Sequence, residues 1–373
     1  VNPAIAGVPG SQIRALHARK KASSIDLGLG QPTLHAGVAP FERATAWVAE
    51  HGCGYSLTLG DLELRERIAA HYAYPWLDSP ENVCVTTGSQ EALYVTLKAL
   101  LDPAQDELLI VEPAFLVYGK IARVEGIAAR AVALDPADGF AYDANRILAA
   151  VTPQTRAIVI CSPCNPTGRS ISRAAVETIS RELGARSGPP VWVIHDEIYR
   201  ELSYTDDAGS FALHYPYTIS INSLSKSNAL TGLRLGWLQA PREALAEISK
   251  MHGWATSCAS TFAQRVALDI FERDALGEHR AWYVNQREGA LAAAREFGLD
   301  VISPDGGFYL FAYVGGDSQA FAERLLAERD VVTIPGAIFG ASGEGWLRTS
   351  FVAPLQRVRE GLRRIHAAKA ALA

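Results

Sequence analysis

Six short, nearly all-apolar segments set the strongest limit on what this chain can fold into. They are Leu108–Val111, Ala131–Leu134, Ala157–Ile160, Val191–His195, Thr218–Ile221 and Leu235–Gln239. Runs of this kind lack the alternation of a strand with one wet face, and suit strands covered on both sides in a largely parallel sheet. Helical patterns separate them at Gln90–Leu101, Phe115–Glu125, Asp143–Ala150 and Ser172–Leu183, the last followed by Gly184, a residue common just past a helix end. This alternation predicts an α/β fold with helices on both faces and ligand chemistry at the carboxyl ends of the strands.

The flanking regions read differently. Residues 241–297 carry long helical patterns, Asp300–Val314 reads as strands around an Asp-Gly-Gly turn, and Leu355–Ala373 is a basic amphipathic helix. Near the start, Ser11–Lys21 is a helix candidate followed by a Gly-rich turn. No repeat, low-complexity tract or Pro/Ser linker divides the chain. A large domain over residues 33–280 is therefore expected, with a smaller α+β domain assembled from residues 1–32 and 281–373.

Composition narrows the function. With 35 basic against 40 acidic residues the net charge is −5, which argues against nucleic acid as a partner. No apolar run reaches the roughly 18 residues of a membrane span, and no signal-peptide pattern is read near the start. Five scattered cysteines do not make a disulfide framework, so a reducing, cytoplasmic setting is expected. Cys161 and Cys164 have C-x-x-C spacing without a second Cys or His pair, which argues against a metal site.

Four segments carry chemistry. Ser223-Leu-Ser225-Lys226, with Arg234 eight positions on, follows a buried strand. A lone lysine there would be a solvated surface charge. Serine hydroxyls and a guanidinium beside it can hold a phosphate next to the amine, the arrangement for a Schiff base to a phosphorylated aldehyde. The strand Val191–His195 runs into Asp196, with Tyr199 three residues later. A desolvated carboxylate needs a cation, and a protonated pyridine nitrogen would serve, with Tyr199 reaching the ring's phenolic oxygen. The competing reading makes Asp196 a helix or turn cap.

The third segment, Ser162-Pro-Cys-Asn165-Pro166-Thr-Gly168, is a tight turn by composition, which is one complete reading of it; the functional reading places the Asn165 amide toward the same ring oxygen. The fourth, Thr87-Gly88-Ser89-Gln90, opens a helix whose first N–H groups suit phosphate, although Ser is also an ordinary cap. Gly28-Leu-Gly30 lacks the third glycine of a dinucleotide fingerprint, which counts against a nicotinamide oxidoreductase. A ligand-sensing domain of a regulator would need a DNA-binding extension, for which no room is seen before Gly30.

Taken in order, these pieces resemble the class I/II aminotransferases of pyridoxal-phosphate fold type I, the aspartate-aminotransferase-like family. The resemblance runs from Gly30-Gln-Pro32 to Leu347-Arg348-Thr-Ser350. It implies a large domain with a mostly parallel sheet flanked by helices, plus the smaller α+β domain from both termini. It implies pyridoxal 5'-phosphate as cofactor, with Lys226 as Schiff-base lysine and proton carrier. Asp196 would pair with the pyridinium, and Asn165 and Tyr199 would hold the ring oxygen. Ser223, Ser225, Arg234 and the amides of Ser89 and Gln90 would bind phosphate, and Phe115 would stack on the ring. Tyr55 would reach the phosphate of the other subunit of a homodimer. Arg348 would clamp the α-carboxylate, assisted by the backbone at Gly30, so the substrates would be α-amino acids and 2-oxo acids. Cis peptide bonds are expected before Pro113 and Pro166.

Gln90 departs from one acidic-substrate branch, which carries Lys there. A neutral, aromatic or long-chain donor is therefore expected at least as readily as aspartate. Carbon–sulfur β-elimination on the same scaffold is the alternative outcome.

Overall fold

The computed structural model describes residues 3–32, 34 and 37–371. Thirteen strands are described among these: β1 (Ile25–Asp26), β2 (Val83–Thr86), β3 (Glu107–Glu112), β4 (Ala128–Ala133), β5 (Thr155–Cys161), β6 (Trp192–Asp196), β7 (Thr218–Ser223), β8 (Gly236–Gln239), β9 (Val301–Ile302), β10 (Tyr309–Tyr313), β11 (Val331–Val332), β12 (Ile334–Pro335) and β13 (Trp346–Ser350). Seven of them form the central sheet in the order β2-β8-β7-β6-β5-β3-β4. Only β8 runs against the others.

Each apolar run of the sequence lies within or across one of these strands. Successive residues of β5 show why the runs are unbroken: Ala157 and Val159 pack into one core cluster, and Ile158 and Ile160 into another on the opposite face. Helices cover both faces. The helix Ser89–Leu100 packs on the first, and Arg173–Gly184 on the second. Ser172 caps the latter by accepting from the Ala175 N–H, and Gly184 closes that helix rather than lying beyond it.

A four-stranded sheet, β12-β13-β10-β9, and the short parallel pair β1-β11 lie toward the chain ends. The pairing of β1 with β11, and the bond from Ser350 N–H to the Leu27 carbonyl, lace the N-terminal segment into the C-terminal part. The final helix spans Leu355–Ala370, and the expected helix residues 372 and 373 lie outside the described residues. The helix Gln12–Ala18 is shorter than Ser11–Lys21 because Ser11 is its cap, accepting from the Arg14 N–H.

Sheet direction decides where chemistry gathers. The carboxyl ends of β2, β5, β6 and β7 open on one edge, and the amino end of the reversed β8 opens on the same edge. Gly236 pairs with Ser223 on one side and Thr86 on the other, so the segments after β7, before β8 and after β2 are immediate neighbours.

Candidate active site

Lys226 lies in the single helical turn Leu224–Ser227 that follows β7. Ser223 starts that turn, its hydroxyl accepting from the Ser225 N–H at 2.9 Å. The lysine Nζ donates to the Gly30 carbonyl at 2.7 Å and stands 5.8 Å from the centre of the Phe308 ring. Burial, together with the positive charges of Arg348 and Arg234, lowers its pKa to about 8, while Asp196 acts in the opposite direction. The amine therefore feels three charged side chains from three different parts of the chain.

Asp196 ends β6, fully enclosed, with Oδ2 accepting from the Tyr118 hydroxyl at 2.6 Å and Oδ1 from the Ile198 N–H at 3.3 Å. Burial raises its pKa to about 6 against the pull of these hydrogen bonds and of Lys226. Asp196 makes no ion pair with any described residue. Tyr199 follows in the next turn, its hydroxyl 3.3 Å from that of Tyr309. Burial and the neighbouring Tyr309 push the Tyr199 phenol well above its ordinary value, which keeps it a proton donor.

Arg348 on β13 is fully buried. Its Nη1 donates to Asn165 Oδ1 at 2.8 Å and its Nη2 to the Gly28 carbonyl at 2.7 Å. The guanidinium lies 4.3 Å from the Tyr309 ring centre and 5.0 Å from that of Phe339, and its Nε has no partner. The expected help from Gly30 takes a different form here: the Gly30 carbonyl receives Lys226, and Gly28 supplies the carbonyl to Arg348. Gly30 is nonetheless required, since a Cβ there would meet the Tyr309 hydroxyl oxygen at 1.8 Å.

Around β8 and β2, the remaining predicted residues come together. Gly88 has φ +84°, and a Cβ on it would sit 2.4 Å from the Arg234 guanidinium. Ser89 and Gln90 are the first two residues of the 12-residue helix Ser89–Leu100, so their N–H groups have no intrahelical acceptor. Arg234, in a left-handed conformation at φ +53°, donates to the Thr231 carbonyl at 2.9 Å and is otherwise exposed. A cradle of free N–H groups, serine hydroxyls and one guanidinium is the donor set that a phosphate dianion takes. The carboxylate of Asp196, buried without an ion-pair partner, suits a ring cation. The residues thus fit a phosphorylated pyridine cofactor at both of its ends.

Two predicted residues stand apart from this group or beside it. Phe115 is half-buried, edge-on to Tyr118 with centroids 6.0 Å apart. Tyr55 is 91% exposed and lies on the outer surface of this protomer. One expected feature is corrected. The peptide bond before Pro113 is cis, but the second cis bond precedes Pro163, and Asn165–Pro166 is trans.

Sequence reasoning missed Tyr118, Tyr309 and Phe308. Tyr118 lies in the first turn of the helix Val117–Glu125, whereas Phe115 precedes that helix, so helical spacing from Phe115 gave no pointer to it. Tyr309 lies two residues past the Asp305-Gly306-Gly307 turn, whose composition marks the turn but not the ring it presents.

Comparisons with known proteins agree with this geometry. The chain is 34% identical over 358 residues, 91% of this chain and 88% of the relative, to a probable N-acetyl-LL-diaminopimelate aminotransferase of Bacillus subtilis. It is 31% identical to an aspartate aminotransferase of Pyrococcus horikoshii, covering 96% and 94% of the two chains. The solved aspartate aminotransferase of Thermus thermophilus with maleate superposes with a TM-score of 0.91 at 27% identity, over 99% of each chain. A profile of the family "Aminotransferase class I and II" matches residues 23–365. With the match spanning nearly the whole chain, the chain belongs to the class I and II aminotransferases and is a transaminase.

Proposed function

We propose that this transaminase works with pyridoxal 5'-phosphate held by Lys226, Asp196, Tyr199, Asn165, Phe115, Ser223, Ser225, Arg234 and the Ser89 and Gln90 amides. The observation that carries this reading is the position of the Lys226 amine, within electrostatic reach of Asp196, Arg234 and Arg348 together. When bound, the cofactor supplies an electron sink for the charge left as a substrate α-proton departs.

The protein's own part follows from its side chains. Asp196 would set its negative charge against the ring nitrogen, and the Tyr118 hydrogen bond fixes the direction of the carboxylate. Tyr199 and the Asn165 amide nitrogen donate to the ring oxygen, the Asn165 oxygen being already engaged by Arg348. Arg348 offers a planar fork to the substrate α-carboxylate, which orients the α-carbon. Lys226, with its pKa brought down near neutrality, takes the α-proton and returns it. Amino transfer rather than β-elimination is favoured by the names of the relatives.

The donor is read as a neutral or apolar α-amino acid. Phe339, against the Arg348 guanidinium, packs with Ile13, Leu16 and Ile334, and Leu116 and Ile338 border the same cluster. The acceptor is a 2-oxo acid.

A cytoplasmic homodimer is also part of this reading. Tyr55, Leu57 and Trp254 are large apolar side chains left exposed, and Trp254 adjoins the segment through the close approach of Gly253 to Thr58. Tyr55 is thereby free to serve the partner's phosphate site. All five cysteines are unpaired, and no described helix is long and apolar enough to cross a membrane. The division at residues 33 and 280 is supported by the lacing of β1 to β11.

The deciding experiment adds pyridoxal 5'-phosphate to the purified protein and follows visible absorption during a panel of amino donors with pyruvate and 2-oxoglutarate. Stoichiometric colour, lost on donor addition and strongest with apolar donors, is expected. A colourless protein would overturn the cofactor assignment, and exclusive use of aspartate would overturn the donor class.

A further inference from the structure

On the face of the central sheet turned away from Asp196, a buried polar network begins at Glu197. Its Oε2 accepts from the Tyr74 hydroxyl at 2.9 Å and the Ser220 hydroxyl at 2.6 Å. Its Oε1 pairs with Arg200 Nη1 at 2.8 Å, and His195 Nδ1 stands 3.5 Å away. The Arg200 N–H also donates to the Glu197 carbonyl at 2.8 Å, so the residues that present Asp196 and Tyr199 form a turn stapled from beneath.

The network continues from there. The Arg200 guanidinium lies over the rings of Tyr74 and Tyr72, at 5.4 and 5.7 Å. The Tyr72 hydroxyl accepts from Asn222 Nδ2 at 3.0 Å, and Asn222 Oδ1 accepts from the Ser223 N–H at 2.7 Å. Ser220 and Asn222 are alternate residues of β7 and so share one face, while Ser223 opens the turn that bears Lys226. A continuous line of contacts joins the turn after β6 to the turn after β7.

We propose that Glu197 and Tyr72 are positioning residues, bracing the Asp196–Tyr199 turn against the Ser223–Lys226 turn at a fixed separation. This rests on the reading that those two turns grip the ring and phosphate ends of one rigid cofactor. A brace of fixed span then stores the correct spacing before the cofactor arrives, which lowers the ordering cost of binding. Neither residue touches the cofactor.

The test is a double-mutant cycle on the purified full chain, read as the pyridoxal 5'-phosphate dissociation constant and as thermal unfolding of the cofactor-free protein. Tyr72→Phe removes one hydroxyl and keeps the ring on Arg200, and Glu197→Gln keeps shape while removing charge. Tyr72→Phe should weaken cofactor binding by about 5- to 10-fold, the effect of one hydrogen bond, and Glu197→Gln by more, because it also leaves Arg200 without its carboxylate partner. The double variant should lose less than the product of the two, because either break releases the brace. Tyr72→Phe should leave the unfolding midpoint of the cofactor-free protein within about 3 °C of wild type. The Michaelis constant for the amino donor should hold, since Arg348 is untouched.

Wild-type cofactor affinity in both variants, or losses that multiply, would overturn the brace. So would a loss of affinity in Tyr72→Phe matched by an equal loss of stability. If Glu197→Gln does not fold, Ser220→Ala takes its place in the cycle with the same expected outcomes. Failure of the wild-type protein to bind the cofactor would sink the functional reading itself, whereas wild-type binding with inert variants would sink only the brace.

Discussion

Asp196 and Arg348 make an instructive pair, since both are enclosed charges that form no ion pair with any described residue. The protein treats them differently. Asp196 has two hydrogen bonds and pays for its burial with a pKa raised to about 6. Arg348 is wrapped by an amide oxygen, a backbone carbonyl and two aromatic faces. A carboxylate can relieve the cost of burial by taking a proton, whereas a guanidinium cannot. The permanent charge has therefore been given the richer set of partners. The contrast suggests that the acid end relies on a tightly held cation to stay ionised, while the arginine end is ready for a substrate that comes and goes.

Replacing the group between the two ends should have the largest effect. Lys226→Ala is expected to cut turnover by about 10³- to 10⁴-fold, measured by single-turnover kinetics, since it removes the proton carrier while both ends remain. A wild-type rate would remove the lysine from the mechanism.

Asp196→Asn should weaken cofactor binding by about 10²- to 10³-fold, the range for removing one partner of a buried pair. The cofactor-free protein should respond in the opposite sense. Because the folded-state pKa lies above the unfolded value, stability from this group falls as pH rises from about 4 through about 6, and the penalty persists above. At pH 8 the cofactor-free Asp196→Asn protein should be more stable than wild type by ~1–3 kcal/mol, and at pH 4 the difference should shrink. Denaturant melts at the two pH values check this, and equal stability at both would mean that the carboxylate is not strained.

Arg348→Ala should raise the Michaelis constant by about 10²-fold for every amino donor alike, since a fork of charge-assisted hydrogen bonds is lost. Arg348→Lys should recover only part of that, because a point charge cannot reproduce the fork. A loss confined to one donor would place Arg348 at a side-chain subsite instead. The smallest effect belongs to Tyr118→Phe, which removes one hydrogen bond from Asp196. A decrease of about 5- to 10-fold in cofactor affinity is expected by equilibrium titration, with no change in the donor Michaelis constant.

How much of this was legible in the sequence depended on whether the signal was local. The central strands were readable because a strand covered on both faces has no polar alternation, as Ala157–Ile160 shows. Lys226, Asp196, Asn165 and Arg234 were readable because each lies at a strand end or in the turn beside one, at one edge of the central sheet. Tyr118 and Tyr309 were not, because their roles arise from contacts across 78 and 110 positions. Tyr55 carries no role that one protomer can express. The expected cis bond at Pro166 fell instead at Pro163, three residues away in the same proline-rich turn, where local composition supports either position. Which carbonyl meets which cation, Gly30 for Lys226 and Gly28 for Arg348, depended on how the N-terminal segment runs past β13.

The reversed direction of β8 has a practical consequence. Lys226 and Arg234 leave and re-enter the sheet through one connection, so the number of residues between them sets their separation as firmly as their identities do. Anyone transplanting this centre into another scaffold would have to move the hairpin whole.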